Sequence, residues 1–145
     1  MADRRGLEAW RLFLRAHTSI TQALDRELRD QCGLPLAWYD VLLTLAEAPG
    51  GRLRMQDLAE AVLFSRSGVT RLVDRLVAEG FVRREQVESD RRGTFAVLTP
   101  PGRRALRRAA PVHVRGIERR FTAKLSAPEA EALREALAIL SNGDG

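Results

Sequence analysis

Residues 58–76 have the sequence LAEAVLFSRSGVTRLVDRL, and this stretch decides the fold. Apolar residues at helical spacing lie on both sides of a few polar ones, which predicts two short helices, Met55–Val62 and about Ser67–Glu79, joined by a tight turn. Ser65 and Ser67 both suit the N-cap of the second helix, because a serine hydroxyl accepts hydrogen bonds from the free N–H groups of a first turn. Two such helices form a helix-turn-helix, whose second helix can lie in the DNA major groove.

A β-hairpin is predicted directly after these helices. Phe81–Glu88 and Thr94–Thr99 are rich in β-branched and aromatic residues, and the polar segment 89–93 between them has the composition of a turn. Arg52–Arg54, before the first short helix, is long enough only for an edge strand. This order of elements predicts a winged helix-turn-helix in which the hairpin is the wing.

The rest of the chain has the spacing of longer helices. Apolar residues recur at steps of three and four in Gly6 to about Asp30, Leu36–Glu47 and Arg103–Lys124. Pro111 should kink or interrupt the third of these, and Ser126 with Glu129 forms a capping box that begins a last helix. The first and last helices have apolar faces without an evident partner in the chain. We therefore expect those faces to pack against another subunit.

These elements define a mainly α fold with a small β-hairpin wing, of the α+β class. The 145 residues are enough for one domain with a sizeable core. Within this single domain, 1–145, we assign residues 34–102 to a winged helix-turn-helix lobe. Residues 1–33 and 103–145 are assigned to a dimerisation lobe.

Composition narrows the function classes. The formal charge of +5, from 24 basic and 19 acidic residues, permits nucleic-acid binding without requiring it. A phosphate-binding P-loop, a G-x-S-x-G elbow and an H-E-x-x-H zinc motif are all missing from the sequence, so we expect no enzyme. Cys32, His17 and His113 are too few for a disulfide or zinc framework, so we expect no cofactor.

The sequence also bears on location. No apolar run approaches the roughly 18 residues that span a bilayer. Met1–Arg5 leads into an amphipathic pattern instead of a signal-peptide core. We therefore expect a cytoplasmic protein with no membrane partner.

The start of the second short helix and the hairpin tip carry the candidate DNA contacts. Arg66 and Arg71 suit guanine edges, whereas Arg75, one turn later, suits a phosphate. At the tip, one arginine can enter the minor groove while Asp90 braces the loop, and spacing alone does not choose between the two arginines there. A solvent-exposed helix face and turn would use the same residue types. The candidates are Ser65, Arg66, Ser67, Thr70, Arg71, Arg75, Asp90, Arg91 and Arg92.

Together these segments resemble the MarR family of bacterial transcriptional regulators. The resemblance rests on Leu58–Leu76, Gly80–Val82, Asp90–Gly93 and Leu98–Gly102, above all on the Asp-x-Arg wing followed by Leu-Thr-Pro. It implies a homodimer, held together by its terminal helices, that binds a pseudopalindromic operator in double-stranded DNA and represses transcription until a small phenolic or aromatic ligand releases it. It carries the DNA-contacting roles to Ser65, Ser67, Thr70, Arg71, Arg75, Asp90 and Arg92, and so favours Arg92 over Arg91 for the minor groove.

The family's ligand pocket lies between the dimerisation lobe and the winged lobe. Trp10, His17, Trp38 and His113 are the aromatic or titratable residues that could reach it, and Arg11 and Arg15 could anchor a carboxylate. Core packing would explain the tryptophans and histidines equally well.

Two other functions stay open at this point. A winged-helix redox sensor could use Cys32, although the peroxide-sensing cysteine of such relatives lies near the start of the first helix and Cys32 lies at its end. A protein-interaction adaptor could use the same fold without binding DNA, but it would not require the arginines.

Overall fold

The computed structural model describes residues 3–64, 66–86 and 93–143. In chain order the elements are α1 (Arg4–Cys32), α2 (Leu36–Glu47), β1 (Arg52–Arg54), α3 (Met55–Ala61), α4 (Val69–Ala78), β2 (Val82–Gln86), β3 (Thr94–Leu98), α5 (Pro100–Arg120) and α6 (Ala127–Asn142). The strands form one antiparallel sheet in the order β1-β3-β2. The predicted class, mainly helical with a small hairpin wing, is confirmed. None of the helices in the described ranges is long and apolar enough to cross a membrane.

The contacts within the chain divide it into two compact units. Residues 25–112 form one, which we call the winged unit, and residues 1–24 with 113–145 form the other, the outer unit. The boundaries fall inside α1 and α5, because each of these long helices contributes to both units. The dimerisation role of the outer helices stays a prediction.

Helix α2 supplies much of the core of the winged unit. Six of its twelve residues are buried, because this helix is covered on more than one side by neighbouring elements. The stripe that α4 buries and the inward side of β3 complete the core. The completely buried large side chains are Leu28, Val41, Leu42, Leu45, Leu58, Val73, Leu76 and Val82.

A carboxylate from α1 fixes the start of α2. The first helix ends at Cys32, and the next residue, Gly33, has the φ of +63° that suits a glycine after a helix. Pro35 precedes α2 and has no side chain able to cap it. The Leu36 N–H instead donates to Asp25 Oδ1 at 2.8 Å. Asp25 also pairs with Arg29 one turn later, at 2.8 Å. The corner between the first two helices is therefore held by one aspartate.

The Leu-Thr-Pro-Pro-Gly segment joins α5 to the corner between α4 and β2. Thr99 Oγ1 donates to the Gly80 carbonyl at 2.6 Å and accepts from the Gly102 N–H at 3.1 Å. A Cβ at position 102 would lie 2.1 Å from the Phe81 carbonyl oxygen, so only glycine fits there. The motif that carried part of the family resemblance thus fixes where the wing begins.

The outer unit contains an apolar groove between α1 and α6. Its lining includes Trp10, Phe13, Leu133, Leu137 and Leu140, and Trp10 is 56% exposed. The predicted capping box is confirmed: Ser126 Oγ accepts from the Glu129 N–H, and the Glu129 carboxylate accepts from the Ser126 N–H. Near the C-terminal end of α6, Ile139 is also exposed.

The break suggested for Pro111 is wrong. Helix α5 begins earlier than predicted, at Pro100, and continues through Pro111 to Arg120. A single 3-10 turn, Thr122–Lys124, follows it. A proline removes only one N–H from the helical hydrogen bonds, and the turns on either side keep the helix continuous.

Candidate nucleic-acid interface

The start of α4 differs from the serine cap that the sequence suggested. A 3-10 turn, Arg66–Gly68, precedes the helix. The N-cap residue is Gly68, which has no side chain to make a capping hydrogen bond. Ser67 already lies in that turn and is exposed, so it is not the N-cap. Ser65 lies outside the described residues. Because a 3-10 turn comes first, the α-helix itself begins at Val69, after both serines.

Helix α4 separates its apolar and polar residues cleanly. Val69, Leu72, Val73 and Leu76 are buried, and Thr70, Arg71, Asp74 and Arg75 are exposed. Because α-helical residues three and four apart share a face, the exposed set forms one surface with Ser67 at its beginning. The structure therefore brings together four of the predicted DNA contacts: Ser67, Thr70, Arg71 and Arg75. Arg66 lies in the preceding turn, and its side chain is outside the described part.

An aspartate of α2 accepts hydrogen bonds from the turn that leads into α4. Asp40 is only 6% exposed, and its Oδ2 accepts from the Leu63 N–H at 2.7 Å and from the Phe64 N–H at 3.0 Å. Burial raises the pKa of Asp40, and the two backbone hydrogen bonds partly oppose this. The net shift is upward, which is the direction expected for a carboxylate whose ionised form is poorly solvated.

An ion pair joins α4 to the wing. Arg84 on β2 donates from Nη2 to Asp74 Oδ1 at 2.5 Å. Asp74 is on the exposed face of the helix, one turn after Arg71 and next to Arg75. Arg84 is therefore engaged within the protein.

A second charge cluster lies across the sheet. Glu85 on β2 pairs with Arg83 on the same strand at 2.9 Å and with Arg52 on β1 at 2.8 Å. The guanidinium of Arg52 also lies 4.3 Å from the centroid of the Phe95 ring, within cation–π range. The hydrogen bond from Arg83 is the main reason that the pKa of Glu85 is lowered. These contacts link all three strands at the base of the wing. The wing-tip candidates Asp90, Arg91 and Arg92 lie outside the described residues.

Comparison with known proteins identifies the family. The model of the MarR family matches residues 33–93. A MarR family transcriptional regulator from Streptomyces coelicolor, solved in complex with DNA, is 37% identical with a TM-score of 0.90, over 99% of this chain and 90% of that one. This chain belongs to the MarR family. Since the family consists of transcriptional regulators, the expectation that the chain is not an enzyme is confirmed.

Two further relatives agree with this assignment. AbsC, a MarR family transcriptional regulator from Streptomyces coelicolor, is 36% identical with a TM-score of 0.88, over 99% of this chain and 96% of that one. The HTH-type transcriptional regulator YkoM of Bacillus subtilis is 29% identical over 81% of this chain and 75% of its own length. The likeness thus extends beyond the segment matched by the MarR family model.

The candidate effector residues of this MarR chain do not all lie in one unit. Trp10 and His17 flank Phe13 on α1, with ring centroids 6.1 and 6.4 Å from that of Phe13. Arg11 and Arg15 are exposed on the same helix. His113 is half-buried in α5. These five belong to the outer unit, whereas the sixth candidate, Trp38, belongs to the winged unit.

Trp38 lines a cavity of about 260 Å³ inside the winged unit. It is half-buried, while the next two residues of α2, Tyr39 and Asp40, are buried. Cys32, half-buried, lies in the wall of the same cavity. The complete lining is Cys32, Gly33, Leu34, Trp38, Glu79, Phe81, Ala105 and Arg108.

Asp40 and Arg108 are residues of this MarR chain that sequence reasoning missed. The signal for Asp40 was present: an aspartate stands within the otherwise apolar run Trp38–Leu43, where it cannot reach solvent easily. Such a residue needs a hydrogen-bond partner. That partner is more than twenty residues away in the sequence, and no local pattern points to it.

Proposed function

We propose that this MarR family member is a sequence-specific DNA-binding regulator that represses transcription. The observation that carries the proposal is the exposed face of α4, where Ser67, Thr70, Arg71 and Arg75 lie opposite a buried apolar stripe. A helix of this kind can enter the major groove while its other face remains in the core. Because bacterial promoters are in the cytoplasm, the regulator acts there.

Each contact has a distinct role in this proposal. Arg71, near the helix start, pairs with base edges, and Arg75, one turn later, pairs with a phosphate. Arg66 and Ser65, just before the helix, add contacts at the same end. In the wing tip, Arg92 enters the minor groove and Asp90 braces it, with Arg91 as the alternative; these wing roles rest on the family resemblance.

The DNA-binding form is a homodimer whose partner is a second copy of this chain. The exposed apolar residues of α1 and α6 support this, since a large apolar surface favours burial. The dimer places its two α4 helices in successive major grooves, about 34 Å apart, on a pseudopalindromic operator. Leu140→Asp should raise the monomer fraction in sedimentation at low protein concentration. Asn142→Asp adds the same charge on the same helix and should leave the dimer intact.

A small aromatic carboxylate is the proposed effector, and the cavity beside Trp38 is its proposed site. Trp38 and Phe81 offer aromatic surface, and Arg108 offers a cation for the carboxylate. Glu79 and Phe81 follow directly on α4, so a ligand there acts on the end of the DNA-contacting helix. A coupling of about 1 to 3 kcal/mol would weaken operator binding roughly 5- to 150-fold.

A gel-shift titration tests the main proposal. The protein is titrated against the intergenic DNA upstream of its own gene at several salt concentrations. Saturable binding that weakens as the salt concentration rises supports a DNA-binding regulator. The reason is that DNA binding releases counterions, and a high salt concentration opposes their release. No shift at low salt would contradict it and favour a protein-interaction adaptor.

Fluorescence tests the effector site separately. Trp10→Phe leaves Trp38 as the only tryptophan, and the variant is titrated with benzoate and with salicylate. Saturable quenching supports the site if Arg108→Gln lowers the affinity obtained from it by about tenfold or more, since a charge-assisted hydrogen bond is lost. Arg107→Gln, at the exposed neighbouring position, is the matched control. Equal affinity in all variants would exclude this cavity.

A further inference from the structure

We infer that Asp40 is a positioning residue for DNA recognition: its buried carboxylate fixes the turn between α3 and α4 and so sets the direction in which α4 presents its exposed face. The inference rests on the proposed DNA-binding function. It assigns a role to a residue that does not itself touch DNA.

The contacts of Asp40 are specific to that turn. A single oxygen, Oδ2, accepts both the Leu63 and the Phe64 N–H, at 2.7 and 3.0 Å. Among the residues that the structure describes, Asp40 is the one charged side chain that is buried. Its position on α2, between the core residues Tyr39 and Val41, gives it a rigid base.

Among the described residues of this turn, few other hydrogen bonds hold it in place. Helix α3 ends at Ala61, and the Val62 N–H still bonds back to the Leu58 carbonyl at 3.1 Å. The N–H groups of the next two residues, Leu63 and Phe64, donate their hydrogen bonds to Asp40. Leu63 is 80% exposed and so contributes little packing. At the other end, the N-cap of α4 is Gly68, which has no side chain for a capping hydrogen bond, so the side-chain hydrogen bonds in the described part of this segment come from Asp40.

A buried carboxylate is a costly way to stabilise a fold. Burial disfavours its ionised form, and an apolar or neutral residue of similar volume is often at least as stable. Its hydrogen bonds, by contrast, are directional and join α2 to the residues immediately before the DNA-contacting helix. This combination fits a residue that determines geometry more than one that adds stability.

The test compares Asp40→Ala with Asp25→Ala. Asp25 makes the same kind of contact, a carboxylate accepting from a backbone N–H, but at the corner between α1 and α2. An operator is first selected from a random duplex pool with the wild-type protein. Dissociation constants are then measured for that operator and for a scrambled duplex of equal length.

We expect Asp40→Ala to reduce the preference for operator over scrambled DNA by about tenfold, with binding to scrambled DNA nearly unchanged. A misdirected helix loses base contacts but keeps its phosphate contacts. Asp25→Ala should keep the preference, even where its stability is lowered similarly. Asp40→Asn should also keep it, because one amide oxygen can accept both N–H groups.

An unchanged preference in Asp40→Ala would overturn the inference. Loss of stability alone lowers the active fraction and so weakens binding to both duplexes equally, which the ratio distinguishes. If Asp40→Ala does not fold, Asp40→Glu takes its place, since the longer side chain moves the accepting oxygen, and an unchanged preference in that variant overturns the inference. Failure of the wild-type protein to bind any duplex would instead contradict the proposed function itself.

Discussion

Asp74 on α4 and Arg84 on β2 form an ion pair, with 2.5 Å between Oδ1 and Nη2. The pair links the helix that carries the candidate base contacts to the first strand of the wing. Glu85, the next residue along β2, links that strand in turn to Arg52 on β1. Helix α4 and the base of the wing are therefore joined by side chains as well as by the short connection between them.

The Asp74–Arg84 pair should contribute little to stability. Its side chains are 55% and 37% exposed, so solvent screens their attraction. In a double-mutant cycle with Asp74→Ala and Arg84→Ala, we expect a coupling of at most about 1 kcal/mol in the free energy of unfolding, measured by urea titration. A coupling well above that value would show that the pair is a structural anchor and would contradict this interpretation.

Arg75→Ala should weaken binding to all duplexes and reduce the salt dependence of binding. A residue that neutralises one phosphate contributes about one unit to the slope of log affinity against log salt. Fluorescence anisotropy with operator and scrambled DNA measures both quantities. Arg104→Ala, which removes an exposed arginine from α5, is the control and should leave the slope unchanged. An unaltered slope in Arg75→Ala would rule out the phosphate contact.

Gly102→Ala should destabilise the winged unit strongly. The added Cβ would lie 2.1 Å from the Phe81 carbonyl oxygen and 2.9 Å from Leu98 Cδ1, and backbone cannot give way cheaply. We expect the free energy of unfolding to fall by about 2 kcal/mol or more, as in other overpacked cores. Gly68→Ala is the control, because a Cβ there meets open space, and its effect should stay within about 1 kcal/mol. Similar stability in both variants would contradict the close approach at position 102.

Asp40 should make stability depend on pH in a defined direction. Burial raises the pKa of Asp40, so the folded chain binds this proton more tightly than the unfolded chain does. The stability of the wild type relative to Asp40→Asn should therefore increase as the pH falls through the raised pKa toward the ordinary value of about 4. Urea titrations of both proteins at a series of pH values measure the difference. A difference that shrinks in acid would contradict the sign of the pKa shift.

The elements that follow from local pattern were predicted well. Leu36–Glu47 matches α2 at both ends because apolar spacing, Pro35 and Pro49 act on neighbouring residues. The Ser126–Glu129 capping box and the hairpin strands are equally local. The exposed face of α4 also followed from spacing alone.

The missed features depend on residues distant in sequence. The serine-cap prediction treated α4 as an isolated helix, whereas in the structure the preceding amides bond to Asp40 of α2. The pairing of Arg84 with Asp74 depends on how β2 lies beside α4, which periodicity does not give. The position of Trp38 beside a cavity depends likewise on where Phe81 and Arg108 come together.

The central claim is that the exposed face of α4 recognises DNA sequence, and Arg71→Ala tests it most directly. The dissociation constants of wild type and variant are measured by anisotropy for the selected operator and a scrambled duplex, at salt concentrations from about 50 to 200 mM. We predict that the wild type prefers the operator and that the variant loses roughly 1 to 3 kcal/mol of that preference, while both bind scrambled DNA similarly. A variant with the full wild-type preference would contradict the claim.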